Sequence, residues 1–457
     1  MKSVHITNYY HKNSGGISTS YNNLMAAAER HRRHVRLIVP GEAETSEDVN
    51  EFAKIYYVPA KYSPLFDKRY RVMMPWQYMV TDSVIRRILL SEEPDLIEVT
   101  DKYTLSIIGP MVRMNMFKKI GRPILVHFSC ERMDDNIASF LTRGRLGKRF
   151  ARRVIGNYIL PAYDYHIANS AYTADEFFSS VQPPFSAVFL NSAWRFFKAP
   201  RVPLEERVFV CPRGVNSQQF SPDRRSDEAR RELRKLAGVS EDAVILLYAG
   251  RISPEKNIGL LVDLMKELSQ DADRNYRLAV AGAGPQSEWL REHGEKAAPG
   301  RIIQLGHLDK DKLASFYASA DVFVHPNPKE PFGIAPLEAM ASGVPTVAPN
   351  SGGVLSYASN ENAWLVEPNG AVFAAAVREA VNDEPLRSRK VAAALATARE
   401  NTRERSTDNL FATYDKIYED FHSRNELFTD REAAASFDFV KRSLGRAAAE
   451  KHASINA

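Results

Sequence analysis

Two glutamates eight residues apart flank a segment whose chemistry suits both an anion and a polyol. Glu330 lies in the stretch HPNPKEPFG and Glu338 in APLEAMASG. We predict a helix that starts near Pro336, because proline at the first helical position loses no hydrogen bond. Glu338 would then lie in the first turn, where the helix dipole favours an acid. The free amides near Gly333 and Ile334 would bind an anion and the carboxylates a polyol, and a sugar nucleotide is both.

A second loop, AGRISPEKN at 249–257, carries two cations between a strand and a helix. Arg251 and Lys256 held in this loop can neutralise a diphosphate as it leaves. Two charges in a surface loop are commonplace, so the loop alone also fits a solvated surface. The glutamate pair in the equivalent loop of a later strand-helix unit favours the functional interpretation.

The N-terminal part of the chain contains two further candidate ligand-binding features, a glycine pair and a histidine. The loop 8–17, between a strand at 4–7 and a helix, contains Gly15 and Gly16, and glycine lets backbone amides approach phosphate oxygens closely. A tight turn explains the same glycine pair. The strand PILVH at 123–127 is expected to deliver His127 to its carboxyl end, where open α/β sheets bind ligands. Taken alone, His127 also fits a core histidine.

The elements that must position these residues form two alternating series of strands and helices. Such alternation predicts parallel sheets with right-handed crossovers, and two series predict two doubly wound domains with a cleft between them. We place the limits at 1–216 and 217–404, followed by C-terminal helices over 405–457. Residues 181–206 are aromatic and irregular, and their pattern predicts no element.

Composition restricts the compartment and the partners. Two cysteines, Cys130 and Cys211, cannot form a disulfide framework, which predicts a reducing compartment. The chain has no apolar run of spanning length and no signal peptide at its start, so we expect a cytoplasmic protein. Residues 1–205 carry 28 Lys and Arg against 20 Asp and Glu, whereas the remainder carries 33 against 36. This basic front half fits either an anionic partner or a solvated charged surface.

Several motifs together resemble those of the GT-B glycosyltransferases of family 4. They are GGIS near the N-terminus, GRISPEKN, AGAGP, ASADVFVHP and EPFGIAPLEAMASGVPTVAPNSGG. The match is dense over 243–355 and looser over 1–216. The resemblance implies two Rossmann-like domains facing a central cleft, with the acceptor bound by the first domain and the donor by the second. It also implies that the helices after about residue 405 cross back to the first domain.

The resemblance assigns roles to individual residues in the second domain. Glu330 would bind hydroxyls of the donor sugar, and Glu338 would bind those of the ribose. The amides from Phe332 through Gly333 to Ile334 would meet the sugar and the distal phosphate. Arg251 and Lys256 would hold the diphosphate.

In the first domain the resemblance implies that Gly16, next to Gly15, contacts the diphosphate, so that domain closure assembles the site. His127 would lie at the donor sugar, with its backbone or ring assisting at the reacting carbon. The neighbouring acids Glu131, Asp134 and Asp135 could contact acceptor hydroxyls, but we favour their interpretation as ordinary solvated acids.

The implied reaction is a retaining sugar transfer in which the leaving phosphate takes the proton of the acceptor hydroxyl. No protein nucleophile, cofactor or metal is expected. Two D-x-D patterns, Asp271 with Asp273 and Asp309 with Asp311, lie at a helix end and a helix start, where aspartate caps backbone amides. We therefore interpret both patterns as caps rather than as metal sites.

The acceptor is less defined by the sequence. The basic residues Arg143, Arg145, Lys148, Arg149, Arg152 and Arg153, with the aromatic segment 63–80, could dock on anionic lipid. A lipid or cell-envelope glycan precursor and a soluble acceptor both stay open, and nucleic acid is a weaker hypothesis. Peripheral contact with the inner face of the membrane is the corresponding expectation. The alternative functions are a non-catalytic sugar-nucleotide or glycan-binding module and, among enzymes, a sugar-nucleotide epimerase or a phosphorylase on the same fold. A phosphorylase should show a cofactor-bearing lysine site, which we do not identify in the sequence.

Overall fold

The chain folds into two compact units. The computed structural model describes residues 1–10, 16–63, 71–117, 119–140, 145–183 and 186–444. One unit comprises Met1–Cys211 with the segment from Thr407 onwards, and the other comprises Pro212–Ser406. The predicted limits at 216 and 404 differ from these by a few residues. Gly15, Arg143 and part of the aromatic segment 63–80 lie outside the described residues.

The first unit is built on an eight-stranded sheet with the order β10-β9-β8-β7-β1-β2-β4-β3, in which only β3 is antiparallel to its neighbour. A two-stranded ribbon, β5 with β6, accompanies it. The strands are β1 Lys2–Ile6, β2 His34–Gly41, β3 Thr45–Asn50, β4 Ala53–Pro59, β5 Lys61–Tyr62, β6 Arg71–Val72, β7 Leu96–Val99, β8 Ile124–Ser129, β9 Tyr165–Ala168 and β10 Val208–Val210. The central strands β7, β8 and β9 are buried along their whole length, as expected when both faces of a parallel sheet are covered.

Helices cover both faces of this sheet. They are α1 Gly16–His31, α2 Trp76–Met79, α3 Val84–Glu92, α4 Ile108–Arg113, α5 Met133–Phe140, α6 Arg145–Val154, α7 Leu160–Ala162, α8 Ala171–Ser179, α9 Ala187–Phe196 and α10 Leu204–Arg207. A π-helical segment, Ile155–Ile159, joins α6 to α7 in one continuous run.

The second unit is built on a six-stranded parallel sheet with the order β13-β12-β11-β14-β15-β16. Its elements are α11 Asp227–Ala237, β11 Val244–Ala249, α12 Gly259–Leu268, β12 Tyr276–Ala281, α13 Ser287–Ala297, β13 Ile302–Gly306, α14 Lys310–Ser319, β14 Val322–Val324, α15 Ile334–Ala341, β15 Thr346–Pro349, β16 Trp364–Val366, α16 Gly370–Asn382 and α17 Glu384–Glu400. Strand β11 shows why both faces are apolar. Ile245 and Leu247 enter one core cluster, and the alternate residues Leu246 and Tyr248 enter the cluster on the other face.

The C-terminal helices are α18 Arg403–Ser423, α19 Asn425–Thr429, α20 Arg431–Ser436 and α21 Phe439–Arg442. Beyond Ser406 they belong to the first unit. Phe411, Tyr414 and Ile417 recur at helical spacing on α18 and are buried in the same apolar cluster as β2 and β8. Beside this stripe, Arg33 binds Asp415 through two nitrogens, each 3.1 Å from a carboxylate oxygen.

Each sheet reverses its strand order at one place. In the first unit the chain moves outward from β1 and returns as β7 on the other side of β1, and in the second unit β14 returns beside β11 in the same way. Doubly wound sheets bind ligands outside the carboxyl ends of the strands at such a switch point. The predicted fold class, two Rossmann-like units on parallel sheets, is confirmed.

Residues 181–206 are more regular than their sequence suggests, because the helix α9 occupies Ala187–Phe196. Its side chains Leu190 and Trp194, one turn apart, are buried, and Trp194 donates to the Gly156 carbonyl at 2.8 Å. The exposed aromatic residues around this narrow apolar stripe obscured its helical period.

Within the part of the chain that the structure describes, no helix is both long enough and apolar enough to span a membrane.

Candidate functional site

The loop after β14 and the start of α15 lie at the switch point of the second sheet. The helix begins at Ile334, after Gly333 in the left-handed conformation with φ 88°. A Cβ on Gly333 would lie 2.8 Å from Val354 Cγ2, so glycine is required both by the conformation and by the space. The prediction of a start near Pro336 is therefore wrong by two residues, and Glu338 lies in the second turn rather than the first.

Glu330 lies in the loop before this helix and is held by three hydrogen bonds from two side chains. Lys256 Nζ lies 2.8 and 3.0 Å from its two oxygens, and Asn327 Nδ2 donates at 2.8 Å. Burial alone would raise the pKa of the Glu330 carboxyl, but Lys256 and His325 lower it to about 2. Glu330 is therefore a fixed carboxylate at neutral pH that can accept hydrogen bonds from hydroxyl groups.

His325 lies beneath this carboxylate, with Nε2 3.7 Å from Glu330 Oε2. Burial lowers the pKa of the His325 imidazole to about 4, despite the opposing effect of Glu330. The ring is consequently neutral at pH 7, and the charge opposite Glu330 comes from Lys256.

Glu338 lies on α15, one turn beyond the helix start, and is half-buried. Tyr317 of α14 donates to its Oε2 at 3.2 Å. Removal from water raises the pKa of the Glu338 carboxyl to about 7, although Tyr317, Lys310 and Arg403 favour the charged form. The two glutamates of the motif therefore differ: Glu330 stays ionised, whereas Glu338 titrates near neutral pH.

The cationic loop follows β11, the neighbour of β14 at the switch point. Asn257 joins the two loops, because its Nδ2 donates to the Pro326 carbonyl at 2.9 Å. The Arg251 carbonyl is held by Tyr248 Oη at 2.8 Å, and Arg251 Nη1 lies 3.9 Å from Glu255. The structure thus brings Arg251 and Lys256 to the same sheet edge as Glu330 and the amides before α15, and Phe332 is buried beneath those amides.

In the first unit, Gly16 is the first residue of α1, after β1, at the position that the strand-loop-helix pattern predicts. Gly15 lies outside the described residues. The contact of this glycine pair with a diphosphate stays a prediction.

His127 does not end its strand. The strand β8 continues to Ser129, so the expectation that it delivers His127 to its carboxyl end is wrong. The imidazole has no exposed surface and lies against Tyr163, His166 and Phe177, with ring centroids 5.4 to 5.9 Å away. Burial and the Lys102 charge hold the pKa of His127 well below its usual range, so the ring is neutral. A role for His127 at the donor sugar stays a prediction.

Two of the three acids beyond β8, Asp134 and Asp135, are buried, which corrects for them the interpretation as solvated acids that we favoured from the sequence, whereas Glu131 is partly exposed. Asp134 has no exposed surface, and Asp135 is 7% exposed. Arg132 Nε and Arg152 Nε donate to Asp134 at 3.0 and 3.2 Å. Burial would raise the pKa of Asp134, but these guanidinium groups hold it at about 2. Asp134 therefore belongs to a buried ion-pair network that joins α5 and α6.

The D-x-D aspartates make local backbone contacts. Asp309 caps α14 by accepting the Lys312 amide at 2.8 Å, and Asp271 accepts the Asp273 amide at 3.1 Å. Among the described residues, no group of three or more histidine, cysteine or acidic side chains is arranged to hold a metal ion.

Sequence reasoning missed the residues that orient the motif glutamates. Asn327 stands three residues before Glu330 in a loop, a spacing at which asparagine often bonds to nearby groups. Tyr317 carries no comparable signal, because its contact with Glu338 spans 21 residues. In the first unit, Lys102 and Glu176 form a fully buried ion pair at 2.5 Å, which no local pattern predicts.

Comparison with known proteins gives three consistent results. A family model described as glycosyl transferases group 1 matches residues 229–396. The GDP-mannose-dependent alpha-(1-6)-phosphatidylinositol dimannoside mannosyltransferase of Mycobacterium tuberculosis is 28% identical over 396 residues, which cover 85% of this chain and 90% of that protein.

Among solved structures, sucrose-phosphate synthase from Thermosynechococcus elongatus superimposes with a TM-score of 0.66 at 17% identity, covering 92% of this chain and 99% of that one. The Anabaena protein HepE in complex with UDP and glucose gives a TM-score of 0.62 at 16% identity, covering 91% and 100%. At such identities these structures establish the fold alone, which is the GT-B architecture.

Proposed function

We propose that this chain is a group 1 glycosyltransferase that transfers a sugar from a nucleotide-sugar donor. Within that class we propose a retaining, metal-independent hexosyltransferase. The observation that carries this proposal is the arrangement at the second switch point. A fixed carboxylate, Glu330, lies 2.8 Å from the Lys256 ammonium and beside the free amides of α15. Groups that bind hydroxyls thus lie next to groups that bind phosphate. This arrangement matches a sugar diphosphate, in which the hydroxyls and the phosphates are themselves adjacent.

The roles at this site follow from the chemistry of each group. Glu330 accepts hydrogen bonds from hydroxyls of the donor sugar, and the amides of Phe332, Gly333 and Ile334 contact the sugar and the distal phosphate. Arg251 and Lys256 bind the diphosphate oxygens.

Glu338 binds the ribose hydroxyls, for which it accepts hydrogen bonds in its ionised form. For the first unit, the resemblance implies contacts of Gly15 and Gly16 with the diphosphate and of His127 with the donor sugar, and these contacts stay predictions.

Retention without a covalent intermediate requires the leaving phosphate to take the proton of the acceptor hydroxyl on the face from which it departs. The protein then contributes positioning and stabilisation of the charge that develops on the diphosphate. Arg251, Lys256 and the amide dipoles at the start of α15 supply that stabilisation, which is the role a metal ion plays in other glycosyl transfers. The proposed mechanism includes no cofactor, and the nucleotide sugar is counted as a substrate.

We favour a GDP-mannose donor, since a relative that matches most of both chains is named for it. A UDP-hexose is the second candidate, supported by the complex of the Anabaena neighbour with UDP and glucose.

For the acceptor we favour a lipid or cell-envelope glycan precursor, used at the membrane surface in the cytoplasm. The same relative is named for a phosphatidylinositol dimannoside acceptor. In this chain α6 presents Leu146 and Phe150, 76% and 61% exposed, on one face. Arg145, Arg149 and Arg153 are exposed beside them and form no ion pair with any described residue. Apolar residues flanked by arginines on one helix are typical of an interfacial helix on anionic lipid.

Fewer basic residues are available for this contact than the sequence indicates. Lys148 is paired with Asp135 at 3.1 Å and Arg152 with Asp134 at 3.2 Å, so these two side chains form ion pairs within the unit. The neighbouring helix α9 adds Val188 and Phe189, 73% and 74% exposed. The proposed membrane-facing set is therefore Leu146, Phe150, Val188 and Phe189 with Arg145, Arg149 and Arg153.

A donor panel tests the proposed function. Purified full-length protein is incubated with UDP-, GDP- and ADP-sugars, and nucleoside diphosphate release is measured with Glu330→Gln and Glu361→Gln in parallel. We expect turnover with GDP-mannose and a loss of at least about tenfold in kcat/KM for Glu330→Gln, since one hydrogen bond to a charged group contributes roughly 1.5–3 kcal/mol. Glu361 is an exposed acid of the same unit, and its variant should match the wild type.

Equal rates for the wild type and Glu330→Gln would overturn the donor assignment. Nucleotide binding without turnover of any donor would instead support a non-catalytic binding module. Conversion of the donor to an epimeric nucleotide sugar would support the epimerase alternative.

A further inference from the structure

The second unit contains a cavity that the proposed donor site does not use. Its volume is about 370 Å³, which lies within the range of small-molecule sites, about 300–1,000 Å³. Its walls are the loop 217–223, the end of α15 at Ala341, and the last turns of α17 from Leu395 to Arg399. The amides of the donor site lie at the start of α15, so the cavity and the donor site occupy opposite ends of the same helix.

The inner wall of the cavity is apolar. Phe220, Ala341 and Ala398 line it and are 6%, 5% and 2% exposed. Alanine at the two helix positions leaves space that a larger side chain would fill. A Cβ on Gly343, just after α15, would lie 3.2 Å from Pro222 Cγ, so the loop packs closely against the helix end. The cavity therefore offers a preformed surface on which a ligand can bury an apolar group.

Two opposite charges lie where the cavity opens to solvent. Asp223 and Arg399 line the cavity, and both side chains are exposed. Neither forms an ion pair with the other or with any other described residue. Asp223 accepts the Ser221 hydroxyl through Oδ2 at 3.0 Å, which leaves Oδ1 able to accept a further hydrogen bond. Both charges are thus available to a ligand that carries a carboxylate and an ammonium group.

The ends of two helices add to the negative side of this balance. Helix α15 ends at Ala341 and α17 at Glu400, so the carboxyl ends of both helices border the cavity. Carbonyl groups at the end of a helix carry a partial negative charge and favour a cation. Together with Asp223 they favour an ammonium group, whereas the Arg399 guanidinium favours a carboxylate.

The inner wall also contacts a residue that holds the donor site in place. The rings of Phe220 and Tyr317 meet edge to face, with centroids 5.4 Å apart. Tyr317 Oη in turn donates to Glu338 Oε2 at 3.2 Å. Ala341, on the other wall, follows Glu338 by three residues, which is about one helical turn. A ligand packed against Phe220 and Ala341 therefore restrains both the ring that supports Tyr317 and the helix that carries Glu338.

We propose that this cavity binds an apolar α-amino acid, and that the bound amino acid strengthens nucleotide binding at the donor site. Arg399 binds the carboxylate, Asp223 binds the ammonium group, and the apolar side chain packs against Phe220. Restraint of Tyr317 keeps Glu338 in position for the ribose hydroxyls. The effect on the nucleotide rests on the proposed function, whereas the binding of the amino acid does not.

The test measures amino-acid binding and nucleotide binding separately, on the full chain. Saturation-transfer NMR is used to titrate L-leucine, L-methionine and L-phenylalanine. It is repeated with 4-methylpentanoate and 3-methylbutylamine, which carry the leucine side chain with only one of the two charges. Calorimetry with GDP and with UDP, in the presence and absence of the amino acid, reports the donor site.

Two cavity variants are compared with matched controls. Arg399→Gln and Asp223→Asn each remove one charge from an exposed position, so neither disturbs the core. The controls Arg389→Gln and Asp273→Asn change exposed residues of the same unit that do not line the cavity. The thermal midpoint of each variant shows whether it is folded.

We expect at least one amino acid to bind the wild type and both controls, and to bind each cavity variant about tenfold more weakly, through loss of a charge-assisted hydrogen bond. Each single-charge analogue should bind more weakly than L-leucine by a similar factor. The amino acid should raise the affinity for the nucleotide several-fold. The nucleotide should raise the affinity for the amino acid by the same factor, because the coupling of two binding sites is reciprocal.

Three results would overturn the proposed ligand: no binding of any of the three amino acids, binding that neither cavity substitution weakens, or a single-charge analogue that binds as tightly as L-leucine. Amino-acid binding that leaves the affinity for both nucleotides unchanged would overturn the proposed coupling. Failure of the proposed function looks different, because amino-acid binding then still depends on Arg399 and Asp223 but no donor is turned over.

Discussion

At the scale of single residues, the two motif glutamates have the same side chain and opposite electrostatic surroundings. Glu330 faces the Lys256 ammonium, so its pKa falls to about 2. Glu338 faces the phenol of Tyr317 at 3.2 Å and has no comparable partner, so burial raises its pKa to about 7. One carboxylate is therefore fixed in charge over the physiological range, and the other is not.

This difference predicts a pH dependence of donor binding. Ribose hydroxyls donate to an ionised carboxylate, so KM for the donor should fall several-fold as the pH rises through about 7 and Glu338 loses its proton. The Glu338→Gln variant cannot ionise and should show a higher KM that is flat from pH 6 to 8. Glu330 and His325 do not titrate in this window.

The same raised pKa has a consequence for stability. Because folding favours the protonated form of Glu338, ionisation as the pH rises from about 4.5 to 7 costs folding free energy in the wild type. The thermal midpoint of Glu338→Gln relative to that of the wild type should therefore increase as the pH rises over this range. Parallel pH profiles of the two proteins, in KM or in thermal midpoint, would contradict the assignment of the titration to Glu338.

At the scale of elements, the sequence predicts the kind of element well and its limits less well. The apolar run before Glu330 predicts β14 correctly, but the proline rule misplaces the start of α15. Gly333 begins that helix through its left-handed backbone, and Pro336 is tolerated at the third position because no N–H is needed in the first turn. The strand β8 runs past His127 because Phe128 and Ser129 pair equally well with β9, so no residue marks the end.

The proposed membrane contact of the helices α6 and α9 predicts that binding to anionic vesicles depends on their exposed residues. Changing Arg145, Arg149 and Arg153 to glutamine should weaken binding to phosphatidylglycerol-containing vesicles by on the order of a hundredfold, at roughly 1 kcal/mol for each basic residue near an anionic surface. The difference in vesicle affinity between the wild type and this variant should become smaller as salt is added. Sedimentation with vesicles at several salt concentrations measures the affinity and its salt dependence.

Two further variants separate charge from insertion. Phe150→Ser with Phe189→Ser should weaken binding at every salt concentration, because apolar burial is not screened. The matched control changes three exposed arginines of the other unit to glutamine, Arg225, Arg231 and Arg389. Vesicle binding that weakens equally in this control would contradict the proposed membrane contact. Vesicle binding that is unchanged in both the arginine and the phenylalanine variants would also contradict it.

At the scale of the whole molecule, the first unit is assembled from segments far apart in the chain. Glu98 is 1% exposed in the middle strand β7, and it is bonded to His5 of β1 at 2.9 Å and to Tyr414 of α18 at 2.5 Å. Tyr21 of α1 also donates to it, at 3.2 Å. The last of these segments to be synthesised, 316 residues after Glu98, thus satisfies a buried acid of the sheet. A periodic pattern predicts that α18 is a helix, but it does not predict which buried group the helix reaches.

This contact predicts a stability effect confined to the first unit. Tyr414→Phe removes one donor from buried Glu98 and should lower the free energy of unfolding of that unit by about 1–3 kcal/mol, the cost of leaving a buried acceptor unsatisfied. Tyr418→Phe, one turn away, removes a hydroxyl that bonds to no described side chain and should have little effect. Hydrogen exchange resolved by segment measures the loss of protection in β1, β7 and α18. GDP affinity, which we propose to depend mainly on the other unit, should stay close to the wild-type value. Equal protection of these segments in the two variants would show that Tyr414 packs α18 against the sheet without serving Glu98.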